Sequence, residues 1–64
     1  MVSMYVVIWL ELKWDDRLKT SIPTIKAEKC KDFESANNLA QKIKNNLKKG
    51  EWVIAVPACI YYSL

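Results

Sequence analysis

This short chain contains two long apolar segments, and a single helix has to cover the apolar surface of both. The first, MYVVIWLELKW, occupies residues 4–14, and the second, WVIAVPACIYY, occupies residues 52–62. Both are rich in β-branched and aromatic residues, which favours strands. A domain of 64 residues buries only about 60% of the surface that its unfolded chain exposes. We therefore expect some apolar sheet surface to remain uncovered.

The first segment predicts a strand with two unequal faces. Its odd-numbered residues begin apolar and end charged, whereas its even-numbered residues form one continuous apolar face: Met4, Val6, Ile8, Leu10, Leu12 and Trp14. A shorter strand is predicted at residues 24–30, where Pro23 and the lysines favour a sheet edge. The polar residues between the two strands predict a turn.

An amphipathic helix is predicted over residues 33–49. Asp32 is a favourable N-cap, and Gly50 is predicted to end the helix as a left-handed C′ residue. Apolar residues recur at three- and four-residue spacing between them: Phe33, Ala36, Leu39, Ala40, Ile43 and Leu47. The final strand is predicted to run from Trp52 to about Tyr62, with apolar residues on both faces.

These elements predict one α+β domain over residues 1–64, with the order β-β-α-β. A three-stranded, mostly antiparallel sheet in the order 2-1-3 places the most apolar strand in the centre, with the helix packed on one face. The order 1-2-3 stays open as an alternative. The order 2-1-3 separates Cys30 from Cys59 by roughly 9 to 10 Å, which is too far for a disulfide. We therefore expect both thiols to remain unbridged.

One helix covers one sheet face, so the other face is the predicted interface. We expect the larger apolar set, the even-numbered residues, to meet the helix. The interface is then predicted at the odd-numbered residues of the first and last strands: Tyr5, Val7, Trp9, Val53, Ala55, Cys59 and Tyr61. Exposed apolar patches of this kind usually mark binding surfaces. A homodimer through this face, or through pairing of terminal strands, is the predicted assembly.

The residue types present argue against an enzyme and against a bound cofactor. The chain has no histidine and one glycine, which removes the commonest general base and any glycine-rich phosphate loop. Two cysteines far apart in sequence make no zinc pattern. Asp15 and Asp16 are interpreted as turn residues rather than metal ligands. We predict a non-enzymatic domain without a metal, which binds itself and regulates or binds another, unidentified protein.

A basic cluster supports an alternative function. The net charge of +3 arises near the end of the predicted helix, where Glu51 offsets one of four lysines, Lys42, Lys44, Lys48 and Lys49. Lysines at a helix end commonly offset the helix dipole. With Trp9 as a stacking surface, they could instead bind single-stranded nucleic acid. That alternative is weakened by the aliphatic background of the sheet aromatics, which is more typical of a subunit interface.

The expected location is the cytoplasm. Neither apolar segment reaches the roughly 20 residues of a membrane-spanning helix, and the N-terminal residues lack the features of a signal peptide. A small secreted domain would usually carry several disulfides. We therefore predict no association with membranes.

Overall fold

The computed structural model describes residues 4–59. Strand β1 covers Tyr5–Asp15, strand β2 covers Thr20–Cys30, helix α1 covers Phe33–Lys44, and strand β3 covers Trp52–Pro57. The three strands form one sheet in the order β2-β1-β3, and both pairings are antiparallel. The predicted α+β class and the 2-1-3 order are confirmed.

Strands β1 and β2 form a hairpin that is longer than predicted. Each strand has 11 residues, and β2 begins at Thr20 rather than at residue 24. In the connecting turn, Asp15 Oδ1 accepts hydrogen bonds from the amides of Arg17 and Leu18, at 2.8 and 3.0 Å. This local pairing is the physical role of the turn aspartate.

Both prolines lie on outer strands, opposite residues with which they exchange no hydrogen bond. Pro23 pairs with Leu12 and Pro57 pairs with Tyr5. The Leu12 amide is directed toward the β3 side, where it donates to Glu51, so it does not bond to β2. The Met4 carbonyl likewise accepts from the Ala58 amide, and the next residue, Tyr5, faces β2. The nitrogens of both prolines are therefore directed outward, where a missing donor costs no ladder hydrogen bond.

Helix α1 begins as predicted and ends early. Asp32 Oδ1 accepts a hydrogen bond of 2.8 Å from the Ser35 amide, which confirms the N-cap. The helix ends at Lys44, five residues before the predicted end. At this point the Asn46 amide bonds to the Ile43 carbonyl, and Asn46 Nδ2 donates to the Lys42 carbonyl at 2.9 Å. Asparagine competes in this way with the helical hydrogen-bond pattern.

Gly50 belongs to a turn and not to the helix end. Its φ is +91°, and the Glu51 amide bonds to the Lys48 carbonyl at 3.0 Å, so the chain turns here into β3. The prediction that Gly50 is the helix C′ residue is wrong, although the positive φ is confirmed. A Cβ at this position would lie 3.1 Å from Leu12 Cδ1, so both the backbone and its neighbour favour glycine.

Strand β3 is shorter than predicted. It ends at Pro57, and Ala58 and Cys59 are helical. The prediction of strand at Ala58 and Cys59 is therefore wrong, and the rest of the predicted strand, residues 60–62, lies outside the described range. Within that range the proline ends the strand rather than interrupting it, which agrees with the rarity of proline inside a paired strand.

Helix α1 covers the sheet face formed by the odd-numbered residues of β1, so the predicted face was wrong. The rings of Tyr5 and Phe33 meet edge to face with centroids 5.5 Å apart. Val7, on the same face, is completely buried. The two parallel strands β2 and β3 are joined through the helix, and such connections are strongly right-handed. The hand of the connection therefore decides which sheet face the helix covers, even when the other face is more apolar.

The core is small, and the described chain has no disulfide between Cys30 and Cys59, as predicted. Four apolar residues are buried in residues 4–59: Val6, Val7, Ala36 and Ala58. No polar side chain of this range is buried. None of the helical segments described combines the length and the apolar character needed to cross a bilayer.

Candidate functional site

The sheet face away from the helix carries the larger set of apolar residues. We call it the open face. It consists of the even-numbered residues from Met4 to Trp14 and their cross-strand neighbours: Ser21, Pro23, Ile25, Ala27 and Lys29 on β2, and Trp52, Ile54 and Val56 on β3. Val6 shares this face and is buried at 1% exposure, so the accessible apolar surface lies around it.

Large apolar side chains are exposed across the open face. Trp14 is 62% exposed, Ile25 is 59% exposed and Ile54 is 47% exposed, and Met4 and Trp52 follow at 41% each. In the described part of the chain, only Leu18 in the hairpin turn and Phe33 at the helix start are comparable exposed residues off this face. Apolar exposure is therefore concentrated on one surface, which is the property that distinguishes a binding patch from scattered surface residues.

The open face is also nearly uncharged. Lys29 is its only charged residue within the described strands. The opposite face carries charges along β1 and β2, at Glu11, Lys13, Lys26 and Glu28. The helix thus packs on the more polar face, and the more apolar face is left accessible to solvent.

The predicted interface residues fall mainly on the covered face. Tyr5, Val7 and Trp9 lie on it together with their β3 neighbours Val53 and Ala55. Val7 has no accessible surface, so it cannot contact a partner while the helix is in place. Cys59 is exposed beyond the end of β3, and Tyr61 lies outside the described residues. The expectation of surplus apolar surface is correct, but the predicted set places it on the wrong side of the sheet.

A second feature is a cleft between β1 and the C-terminal end of α1. Its volume is about 440 Å³. The lining comes from residues 9–13 of β1, from the helix end and from the following turn, including Ile43, Asn46, Leu47 and Glu51. The cleft brings together Trp9, Lys42 and Lys48 from the alternative prediction, together with Lys13. Lys44 and Lys49 do not line it.

The two carboxylates of the cleft are occupied by neighbouring donors. Glu11 Oε1 accepts a hydrogen bond of 2.9 Å from Trp9 Nε1, and Lys26 Nζ lies 3.4 Å from Glu11 Oε2. The Trp9 hydrogen bond, followed by the bond and charge of Lys26, lowers the pKa of Glu11. Lys13 Nζ lies 4.0 Å from Glu11. Neither Lys42 nor Lys48 forms an ion pair within residues 4–59.

Glu51 fastens the helix-to-strand turn to β1. Its Oε2 accepts from the Leu12 amide at 2.7 Å, and its Oε1 accepts from the Lys48 amide at 2.8 Å. The Leu12 bond first, and the Lys48 bond second, lower the pKa of Glu51 below its ordinary value of 4.5. The carboxylate therefore supplies an acceptor for a β1 amide just beyond the end of β3 pairing.

A fall in pH is expected to weaken the attachment of this turn to β1. The pKa of Glu51 is lower in the folded state than in the unfolded chain. The stabilisation by its carboxylate is therefore fully present when the pH is above the unfolded-state pKa, and it is lost as the pH falls through the folded-state pKa. Glu51→Gln should reduce the loss of stability between about pH 6 and pH 3 in urea unfolding monitored by circular dichroism. Glu34→Gln, at the exposed first turn of α1, is the matched control. An unchanged pH profile in Glu51→Gln would contradict the assigned role.

The turn aspartates are engaged in local hydrogen bonds, and the surroundings of Cys30 disfavour reactivity. Asp16 Oδ1 accepts from Trp14 Nε1 at 2.7 Å, and Asp15 caps the turn amides. Within residues 4–59, no three His, Cys, Asp or Glu side chains cluster in a way that could hold a metal ion. Burial, followed by the charges of Glu28 and Asp32, raises the pKa of the Cys30 thiol, which disfavours the reactive thiolate.

Two surfaces therefore stand out in the described chain, the open face and the cleft. The open face arises from the alternation of β1 and its partners. The cleft arises because α1 ends at Lys44 and the chain returns through Glu51. Sequence periodicity reveals the residues of the open face, whereas the cleft depends on the early helix end.

No protein family model, curated protein or solved structure matches this chain.

Proposed function

We propose that the protein is a non-enzymatic interaction domain that forms a homodimer through the open face. The exposure of Trp14, Ile25, Trp52 and Ile54 on one nearly uncharged surface carries this proposal. Leaving such side chains in water forgoes roughly 25 cal/mol for every Å² that a partner could cover. In a domain of this size, that amount is large relative to the total stability.

A second copy of the chain is the occupant that fits this surface best. The open face carries one charged residue, Lys29, and its other side chains are uncharged and mostly apolar. A strongly charged partner would form few ion pairs with this face. A two-fold axis places the face against itself, so each apolar strip meets a strip of the same chemistry without bringing rows of like charges together.

The size of the open face predicts a reversible dimer. Ten residue steps from Met4 to Trp14 correspond to about 34 Å, and three strands are about 14 Å wide. Because β3 pairs with only part of β1 and Val6 on this face is already buried, the accessible flat area is at most roughly 450 Å² per copy. Two copies would bury at most about 900 Å², which is below the roughly 1,200 Å² of standard specific interfaces and within the range of weak, transient contacts. We therefore expect dissociation in the micromolar range.

The remaining surfaces are proposed to bind the other protein. The polar helix side, with Asn37, Asn38, Gln41 and Lys42, and the hairpin turn at residues 16–19 stay exposed when the open face is occupied. A cytoplasmic location is part of the proposal. It is supported by two cysteines that are not bonded to each other.

Light scattering coupled to size-exclusion chromatography tests the dimer. Between about 1 and 300 μM, the mass should rise from the monomer value of 7.4 kDa toward twice that value, as expected for a micromolar dissociation constant. High salt should not dissociate the dimer, because apolar contacts are not screened. A mass of 7.4 kDa at every concentration would rule the proposal out.

A further inference from the structure

The cleft combines a held aromatic ring with cations from separate elements. Trp9 is half-buried and its indole N–H is bonded to Glu11, so the ring is oriented before any ligand arrives. Lys13 comes from β1, Lys42 from α1, and Lys48 from the turn. Preorganised aromatic rings bind flat ligands at a smaller cost in conformational entropy.

The charges of the cleft favour an anion despite its two carboxylates. Glu11 is engaged by Trp9 and Lys26, and Glu51 is engaged by two amides. Lys42 and Lys48 form no ion pair within residues 4–59, although the charge of Lys48 also acts on Glu51, and with Lys13 and Lys26 the cations around the cleft outnumber its two carboxylates. The negative end of the helix dipole lies nearby. Its carbonyls are partly satisfied, because Asn46 Nδ2 donates to Lys42 O and the Asn45 amide donates to Gln41 O.

A ligand that joins a flat ring to a negative charge matches these groups. The volume of about 440 Å³ lies within the range of small-ligand sites, and a double helix would present its bases only within the stack. A single strand offers an accessible base and a phosphate in each unit. Lys44 and Lys49, exposed beside the cleft, extend the positive surface for neighbouring phosphates.

We infer that the cleft between β1 and the end of α1 binds one nucleotide unit of a single-stranded nucleic acid. The base lies against the Trp9 indole, and phosphates contact Lys42 and Lys48. This site is on the helix side of the sheet, so it is separate from the proposed dimer face and can succeed or fail independently of it.

Titration with a short oligothymidylate tests the site. The probe should shift the Trp9 indole N–H resonance in nitrogen-15 correlation spectra, with smaller changes at Trp14 and Trp52 on the open face. With two phosphates neutralised, the slope of log affinity against log salt should be about −1.4. Raising the salt from about 0.05 to about 0.2 M should then lower the affinity about sevenfold.

Variants and two further probes make the test decisive. Lys42→Gln combined with Lys48→Gln should flatten the salt slope by about 1.4, whereas Lys19→Gln combined with Lys31→Gln, with the same loss of charge away from the cleft, should leave it unchanged. Equal slopes in the two variants would overturn the site. Equal affinity for thymidine monophosphate would overturn strand binding, and equal affinity for inorganic polyphosphate would overturn base stacking.

Discussion

Ile54→Lys is expected to keep the protein monomeric at concentrations where the proposed dimer of the parent chain forms. Ile54 is 47% exposed on the open face, so the folded monomer tolerates a lysine there. In a two-fold dimer each substitution occurs twice, and an unpaired charge in the contact costs at least about 2 kcal/mol per copy. A total of about 4 kcal/mol weakens a micromolar dimer about a thousandfold. Light scattering on a size-exclusion column measures the change.

Leu18→Lys is the matched control for this variant. Leu18 is 64% exposed in the hairpin turn and lies off the open face, so the same substitution should leave the dimer unchanged. Circular dichroism should be the same for both variants. Equal loss of dimer in both would point to general solubility rather than to a specific face, and a dimeric Ile54→Lys variant would exclude Ile54 from the contact.

Val7→Ala is expected to lower the free energy of unfolding by about 2 to 3 kcal/mol. Val7 has no accessible surface beneath α1, and removing its two methyl groups loses transfer free energy and leaves a cavity. A chain of 64 residues has roughly 3 to 10 kcal/mol of stability in total. Urea unfolding at a concentration below dimerisation gives the value directly.

Ile25→Ala tests the same assignment from the other side of the sheet. This change removes more carbon than Val7→Ala, yet Ile25 is 59% exposed on an outer strand, so the monomer should lose less than about 1 kcal/mol. If the helix covered the open face instead, Ile25 would contact it and Val7 would be exposed. A larger loss for Ile25→Ala than for Val7→Ala would therefore contradict the observed packing.

The strand arrangement could be predicted because local and global signals agree. The long apolar strand belongs in the centre, and Pro23 and the lysines of β2 favour an edge. Asp32 could be identified as an N-cap from its residue type alone, and Ser35 donates to it as expected. The absence of a disulfide between Cys30 and Cys59 follows from the two intervening strand spacings.

The covered face could not be predicted from how apolar each face is. The backbone amides of the even-numbered residues of β1 face β3, as the hydrogen bond from the Leu12 amide to Glu51 shows. Long-range strand pairing decides whether the even- or the odd-numbered residues have this parity. No local pattern of β1 encodes that parity. Because the connection between β2 and β3 has a preferred hand, this parity selects the face that α1 covers, and the larger apolar set is left accessible.

The candidate sites could be predicted in part. The apolar surplus was visible in the alternation of β1, but its face depended on the parity of the pairing. Of the four lysines considered for nucleic acid, Lys42 and Lys48 meet Trp9 in the cleft, and Lys44 and Lys49 do not. Their separation depends on the helix ending at Lys44, where Asn46 bonds back to Lys42. Side-chain competition of that kind is only weakly encoded in periodicity.

The outward-facing prolines bear on how far association can proceed. A sheet with an apolar face and two unpaired edges could grow by adding strands along its edges, as in fibrils. Pro23 and Pro57 each remove one outward donor from an outer strand, so neither edge offers a complete row of hydrogen-bonding groups. This disfavours association along the edges and leaves the open face for the proposed dimer, in which a two-fold contact closes after two copies. We therefore expect the two prolines to disfavour edge-to-edge polymerisation in concentrated solution.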